Sequence, residues 1–125
     1  MNDTTILKLG GFNAVLAIAA GAFGAHGLRD QVAPALLRAF ETGAQYHFYH
    51  ALGLIAVGLT IRSLGRNRML TGSTWCMLAG IALFSGSLYA LALTGIRALG
   101  AITPIGGTLW IVAWCMFAIG CRKPD

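Results

Sequence analysis

The sequence predicts an all-α membrane protein: a four-helix transmembrane bundle with a short interfacial helix between spans 1 and 2. Three observations lead there. Hydrophobic residues make up 57% of the 125 positions and charged residues 10%, with a mean hydropathy of +0.72. The apolar residues fall into four long blocks, and the charges collect mainly between them. No window alternates as a barrel strand would, which leaves the helix as the element able to satisfy its own backbone in hydrocarbon. A water-soluble chain this small would expose much of its surface and need charges there. Nine Lys/Arg and four Asp/Glu cannot supply them. One transmembrane domain, residues 1–125, accounts for the whole length.

A helix rising 1.5 Å per residue needs about 20 mostly apolar residues to cross the hydrocarbon. Span 1 covers residues 6–25, interrupted by Lys8, which can snorkel to the headgroups, and by Asn13. A rival reading makes this segment a signal peptide with Ala22-Phe23-Gly24-Ala25 as its small-residue cleavage site. Its apolar stretch is long for that, so span 1 is kept. In residues 26–43, Pro34 can open a first helical turn, and Leu36, Leu37 and Phe40 then share a face. This stretch reads as a helix lying at the outer interface or running on into span 2. Span 2 covers residues 44–61, and residues 62–72 form a basic loop. Span 3 covers residues 73–94 and span 4 residues 101–121; the short connection between them makes an antiparallel pair.

Basic residues set the orientation. With the N-terminus inside, the cytoplasmic side carries Lys8, Arg62, Arg66, Arg68, Arg122 and Lys123, against Arg29, Arg38 and Arg97 outside. The positive-inside rule therefore places both termini in the cytoplasm. The net charge of +5 reflects these flanks rather than a nucleic-acid patch, so the bilayer is the partner and nucleic acid is not. Cys76, Cys115 and Cys121 form no Cys-x-x-Cys pair, and their odd number speaks against a disulfide framework.

Seventeen glycines need a reason in a helical protein. In lipid, small residues let backbones approach closely. Ala17, Gly21 and Ala25 recur every fourth residue on span 1, and Ala82, Gly86 and Ala90 on span 3. Both stripes are candidate helix-packing faces, within one bundle or at a homo-oligomer seam. Trp110 and Trp114 read as space-filling or lipid-facing.

The topology also gathers polar residues on one side. His26 ends span 1; Gln45, Tyr46, His47 and His50 begin span 2; Ser85, Ser87 and Tyr89 lie in the outer half of span 3; Thr103 and Pro104 open span 4. Interfacial ends are polar because water is there, and this covers His47 and Tyr49. His50, roughly 9 Å along its helix, asks for more. One reading is a buried network, in which His26 or His50 donates to Gln45, Ser85 or Tyr89 and fixes the bundle's register. Another is a proton relay or a metal or haem site, with His47 and His50 sharing a face at i, i+3. No cysteine lies on that side, and Glu41 is its one carboxylate candidate. No metal ligand set or cofactor follows. A Ser/His/Asp hydrolase lacks its acid, because Asp3, Asp30 and Asp125 are terminal or interfacial.

Gly21-Ala22-Phe23-Gly24-Ala25-His26-Gly27-Leu28 resembles the family catalogued as domain of unknown function 423, or uncharacterised protein family 0382. These are small inner-membrane proteins related to eukaryotic transmembrane protein 256. Phe40-Glu41-Thr42-Gly43-Ala44-Gln45-Tyr46, His50-Ala51-Leu52, Phe84-Ser85-Gly86-Ser87-Leu88-Tyr89 and Ile102-Thr103-Pro104-Ile105-Gly106-Gly107, with Trp114 beyond, carry the resemblance through nearly the whole chain. Gly43 departs from the pattern, which has a non-glycine residue there. The resemblance implies a multi-spanning protein of the bacterial cytoplasmic membrane, with span 1 retained and no catalytic residues assigned. Its motifs include His26, Tyr46, His50, Ser85, Ser87, Tyr89, Thr103 and Pro104. The expected function is a non-enzymatic structural, assembly or interaction component, with a second copy or another membrane protein as candidate partner. The alternatives are an oligomeric small-solute or proton transporter and, third, a metal- or haem-binding redox protein.

Overall fold

The computed structural model describes residues 1–123; Pro124 and Asp125, the end of the predicted domain and the last of its aspartates, lie outside the described residues. Among the described residues every regular element is helical. Helix α1 spans Asp3–Phe23 and continues into a π-helical turn, Gly24–Leu28. Helix α2 spans Pro34–Leu64. Helix α3 (Arg68–Gly80), a π-helical turn (Ile81–Ser85) and α4 (Gly86–Thr94) form one continuous rod. A 3-10 turn at Arg97–Ala101 leads into α5, Thr103–Gly120.

Local chemistry explains the ends. The Asn2 side chain accepts from the Thr5 N–H at 2.8 Å and caps α1, and Asn67 does the same for α3 through Leu70 N–H at 3.0 Å. Pro34 occupies the first turn of α2, where its missing N–H costs nothing. Gly65 (φ 87°) and Gly95 (φ 72°) close α2 and α4 in backbone that side chains resist.

The segment after span 1 is not a separate interfacial helix. Pro34 starts a 31-residue helix that runs unbroken through Gly43 to Leu64. At helical rise it is about 46 Å long, well beyond a hydrocarbon core of about 30 Å. Gly43 does not interrupt it. A Cβ there would lie 3.1 Å from the Tyr89 ring and 3.2 Å from Leu88 Cβ, so the glycine serves close helix approach.

Each rod runs antiparallel to the next, as the facing pairs Gly24–Phe40 and Gly10–Ile55, Gly43–Leu88 and Gly53–Met77, and Gly80–Trp110 and Gly120–Leu70 require. Leu54, Val57, Leu70, Met77 and Ala113 are fully buried and join α2, α3 and α5 in one core. Outside, the surface is apolar: Phe12 and Ile111 are each 68% exposed, and Ile18, Trp75, Leu93 and Ile119 also point outward. Among the described residues three helical stretches, Asp3–Leu28, Arg68–Thr94 and Arg97–Gly120, are long and apolar enough to cross a membrane. Helix α2 is not among them because Gln45, Tyr46, His47, Tyr49 and His50 crowd its first half.

Of the two small-residue stripes, the structure buries only Ala17; Gly21, Gly86 and Ala90 are half-exposed, and Ala25 and Ala82 are exposed. Steps of four residues drift by about 40° each around a helix of 3.6 residues per turn. The face of α1 that meets α2 instead follows alternating steps of three and four, through Ile6, Gly10, Asn13 and Ala17. Gly106 makes the closest approach to another segment's backbone, since a Cβ there would collide with the Phe84 backbone. Gly106→Ala should therefore lower stability in detergent by about 1–3 kcal/mol. Gly21→Ala, with nothing within 4 Å of its Cβ, should stay within about 0.5 kcal/mol. Thermal unfolding of the two variants side by side measures this contrast, and equal losses would contradict the packing described.

Candidate functional site

The inner face of α2 carries Phe40, Ala44, His47, His50, Ala51, Leu54, Val57 and Ile61, a spacing of three and four that keeps all of them turned toward other helices. Two histidines thus enter the interior, at 5% and 6% exposure. A polar ring placed there needs partners for both nitrogens.

His47 finds its partners on two different helices. Its Nδ1 lies 3.0 Å from the Tyr89 hydroxyl on α4, and its Nε2 lies 2.9 Å from Asn13 Oδ1 on α1. The Asn13 amide donates its own N–H to the Leu9 carbonyl at 2.8 Å, which turns Oδ1 toward the ring as an acceptor. His47 accordingly donates from Nε2 and accepts from Tyr89 at Nδ1. The chain runs in one direction, from α4 through α2 to α1.

His50 takes the other tautomer. Nδ1–H donates to the Tyr46 carbonyl at 2.7 Å, and Nε2 accepts from the Trp114 indole N–H at 3.1 Å. Indole N–H can only donate, so a proton on Nε2 would set two donors against each other. The ring lies flat on Trp110, with centroids 3.6 Å apart and an interplanar angle of 2°. Trp110 in turn donates to the Met77 carbonyl at 3.2 Å. A Cβ on Gly80 would strike that indole, so the glycine makes room for it.

Hydroxyls stitch the remaining joints. Ser85 sits on the π-helical turn of the third rod and donates to the Gly43 carbonyl at 2.7 Å. Ser73 donates to the Ala113 carbonyl at 2.8 Å, and Ser87 and Thr103 share a hydrogen bond of 2.6 Å. Among the described residues no buried side-chain nitrogen or oxygen is left without a partner.

The predicted cluster therefore divides. His50 with Tyr46, Tyr89 with His47, Ser85 with Gly43, and Ser87 with Thr103 are four separate foci. His26 is exposed on the π-helical turn Gly24–Leu28, and Gln45 is exposed and bonds Tyr49. The partners expected for His26 or His50 are taken differently: Tyr89 binds His47, and Ser85 binds backbone. Gln45 and His47 are two positions apart, about 200° of helical rotation, so only one of them can face inward. His47, expected at the interface, and Asn13, read as an interruption of span 1, are the residues that sequence reasoning missed. The available signal was that an amide in mid-span requires a partner. The two histidines point to different helices. Among the described residues no group of three His, Cys, Asp or Glu side chains gathers as a metal site would need.

Between α2, the Ile81–Ser85 turn and α5 lies an open, mostly apolar cleft of about 670 Å³, walled by Tyr46, Phe84, Trp110 and Trp114. His50 borders it with both ring nitrogens already engaged. Such walls can hold an apolar chain.

Tyr89→Phe and Asn13→Ala should each cost about 1 kcal/mol of stability in detergent micelles. Because both act on one ring, their effects should couple by about 0.5 kcal/mol or more in a double-mutant cycle. Strict additivity would dissolve the three-helix chain into independent contacts.

Comparison with known proteins adds a family. The model of a protein family of unknown function, DUF423, matches residues 20–107. The UPF0382 membrane protein YwdK of Bacillus subtilis is 49% identical over 115 residues, covering 92% of this chain and 94% of the relative. A UPF0382 membrane protein of Staphylococcus saprophyticus is likewise 49% identical with the same coverage. One from Staphylococcus aureus strain USA300 is 45% identical over 92% of this chain and 93% of its own length. No solved structure matches.

Proposed function

The chain belongs to the DUF423 family, whose UPF0382 relatives are membrane proteins, and on that premise we propose that it is a non-enzymatic component of the bacterial inner membrane that crosses the bilayer four times. Its buried polar network sets the helix register and presents a fixed outer surface for assembly or interaction. One observation carries this reading. All four ring nitrogens of His47 and His50 are engaged by partners within the chain, so neither histidine is held ready for a substrate, proton or ion.

The fourth pass is assigned to α2. Its two histidines face inward and are satisfied, and its length exceeds the hydrocarbon core. Both termini are assigned to the cytoplasm. Arg62 bonds Asp3 at 2.7 Å, and Asn67 donates to the Gly120 carbonyl at 3.0 Å, which brings the two chain ends and the basic Arg66–Arg68 connection to one end of the bundle. Lys8, Arg62, Arg66, Arg68, Arg122 and Lys123 sit toward that end, against Arg29, Arg38 and Arg97 toward the other. That distribution favours the cytoplasm for the richer end.

Reporter fusions after Asp125 and within the Arg66 loop should register cytoplasm, and one in the Gly95 loop the opposite side; a periplasmic signal at Asp125 would reverse the orientation. His50→Phe tests the role. It removes the acceptor for Trp114 and should cost about 1–2 kcal/mol in detergent without a solute-specific phenotype. A variant of normal stability that has lost a solute or proton flux would instead establish a transporter.

A further inference from the structure

The inner face of α2 is satisfied, and its outer face is not. Arg38, Glu41, Gln45, Tyr49, Leu52 and Leu59 are all exposed and share one side of the helix. Gln45 bonds only Tyr49, its neighbour one turn on. Among the described residues neither Arg38 nor Glu41 has an ion-pair partner. The outward faces of α1, α3 and α5, with residues such as Phe12, Trp75 and Ile111, are chiefly apolar and suit lipid. A charged and amide-bearing helix face at the membrane rim can be met by water and headgroups or by a partner of matching polarity.

We propose that this face is the contact surface of a symmetric homodimer in which the α2 helices of two copies lie parallel about a two-fold axis along the membrane normal. The charges are self-complementary. Such an axis sets each residue opposite its own copy. Opposite charges three residues apart, about 4.5 Å along the helix, then pair crosswise: Arg38 with the partner's Glu41, and Glu41 with the partner's Arg38. Gln45 carries both donors and an acceptor, so it matches its own copy near the axis. A furrow of about 280 Å³ beside this face is lined by Ala17, Gly21 and Ala44 from α1 and α2. No atom lies within 4 Å of a Cβ built on Gly21, which leaves room for a side chain of the second copy. Gly21, a half-exposed member of the small-residue stripe of α1, thus acquires a packing role between chains.

The proposal deepens the interaction reading above by naming the partner, and it rests on the same four-pass arrangement. In a chain whose three native cysteines are replaced by serine, Gln45→Cys should crosslink to itself on oxidation in native membranes. Ile111→Cys, outward on α5, should not. Arg38→Glu and Glu41→Arg should each weaken dimerisation about fivefold or more, and the double reversal should restore it. These exposed changes leave the core untouched, so a monodisperse elution profile checks folding independently. Equal crosslinking at positions 45 and 111, or a double reversal that fails to restore association, would overturn the dimer. Crosslinks at position 45 exclusively to a different protein would overturn it in favour of a heterologous partner. A monomer whose reporter fusions read as expected sinks the dimer and leaves the four passes standing; misplaced fusions sink the passes whatever the crosslinks show.

Discussion

A polar atom surrounded by hydrocarbon has no water to turn to, and in this protein that constraint falls chiefly on one helix. Helix α2 brings two imidazoles into the interior, and the other three rods are arranged so that both rings are met. Asn13 on α1, Tyr89 on α4 and Trp114 on α5 are the groups that meet them. Each can reach α2 only in one rotation and one axial position of its own helix. Apolar surfaces slide past one another at little cost in lipid, because the tails are as apolar as the side chains. Directional hydrogen bonds do not slide. The register of the bundle therefore follows from the histidines.

Packing then tightens what the polar groups align. Gly10 admits Ile55, Gly43 admits Tyr89, Gly58 admits Leu7, and Gly120 admits Leu70. Each close approach adds dispersion contacts that no hydrophobic effect supplies inside a bilayer. The π-helical turn at Ile81–Ser85 belongs to the same design. Its wider turn leaves Ile81 and Ser85 both buried, so the rod can fill the core with one and reach the Gly43 carbonyl with the other. Stacking of Trp110 on His50 joins the apolar and polar systems, since the same indole also donates to Met77. Core and network are one structure.

This arrangement inverts the soluble pattern. Serines, a threonine and histidines are among the most buried side chains, while phenylalanines and isoleucines cover the outside. The inversion also explains why α2 is the least apolar rod and yet buries residues along most of its length. Its polarity is directed inward and consumed there, apart from the face that carries Arg38, Glu41 and Gln45.

Composition and block length by themselves determined the solvent, the helical class, the order of the rods and their turns, because burial in lipid depends on the sum of side chains and not on their exact neighbours. The polar residues of the second, third and fourth rods were visible for the same reason, and the family resemblance followed from contiguous motifs. Helical periodicity fixes the angle between two residues of one helix, so Gln45 and His47 were bound to face apart. Which of the two turned inward was decided only by the tertiary structure, along with the pairing of His47 with Asn13, the outward rotation of Ala82 and Gly86, and the continuity of α2 through Gly43. These depend on the rotation of each rod about its own axis. That rotation is a property of several helices satisfying one another at once, and no single segment encodes it.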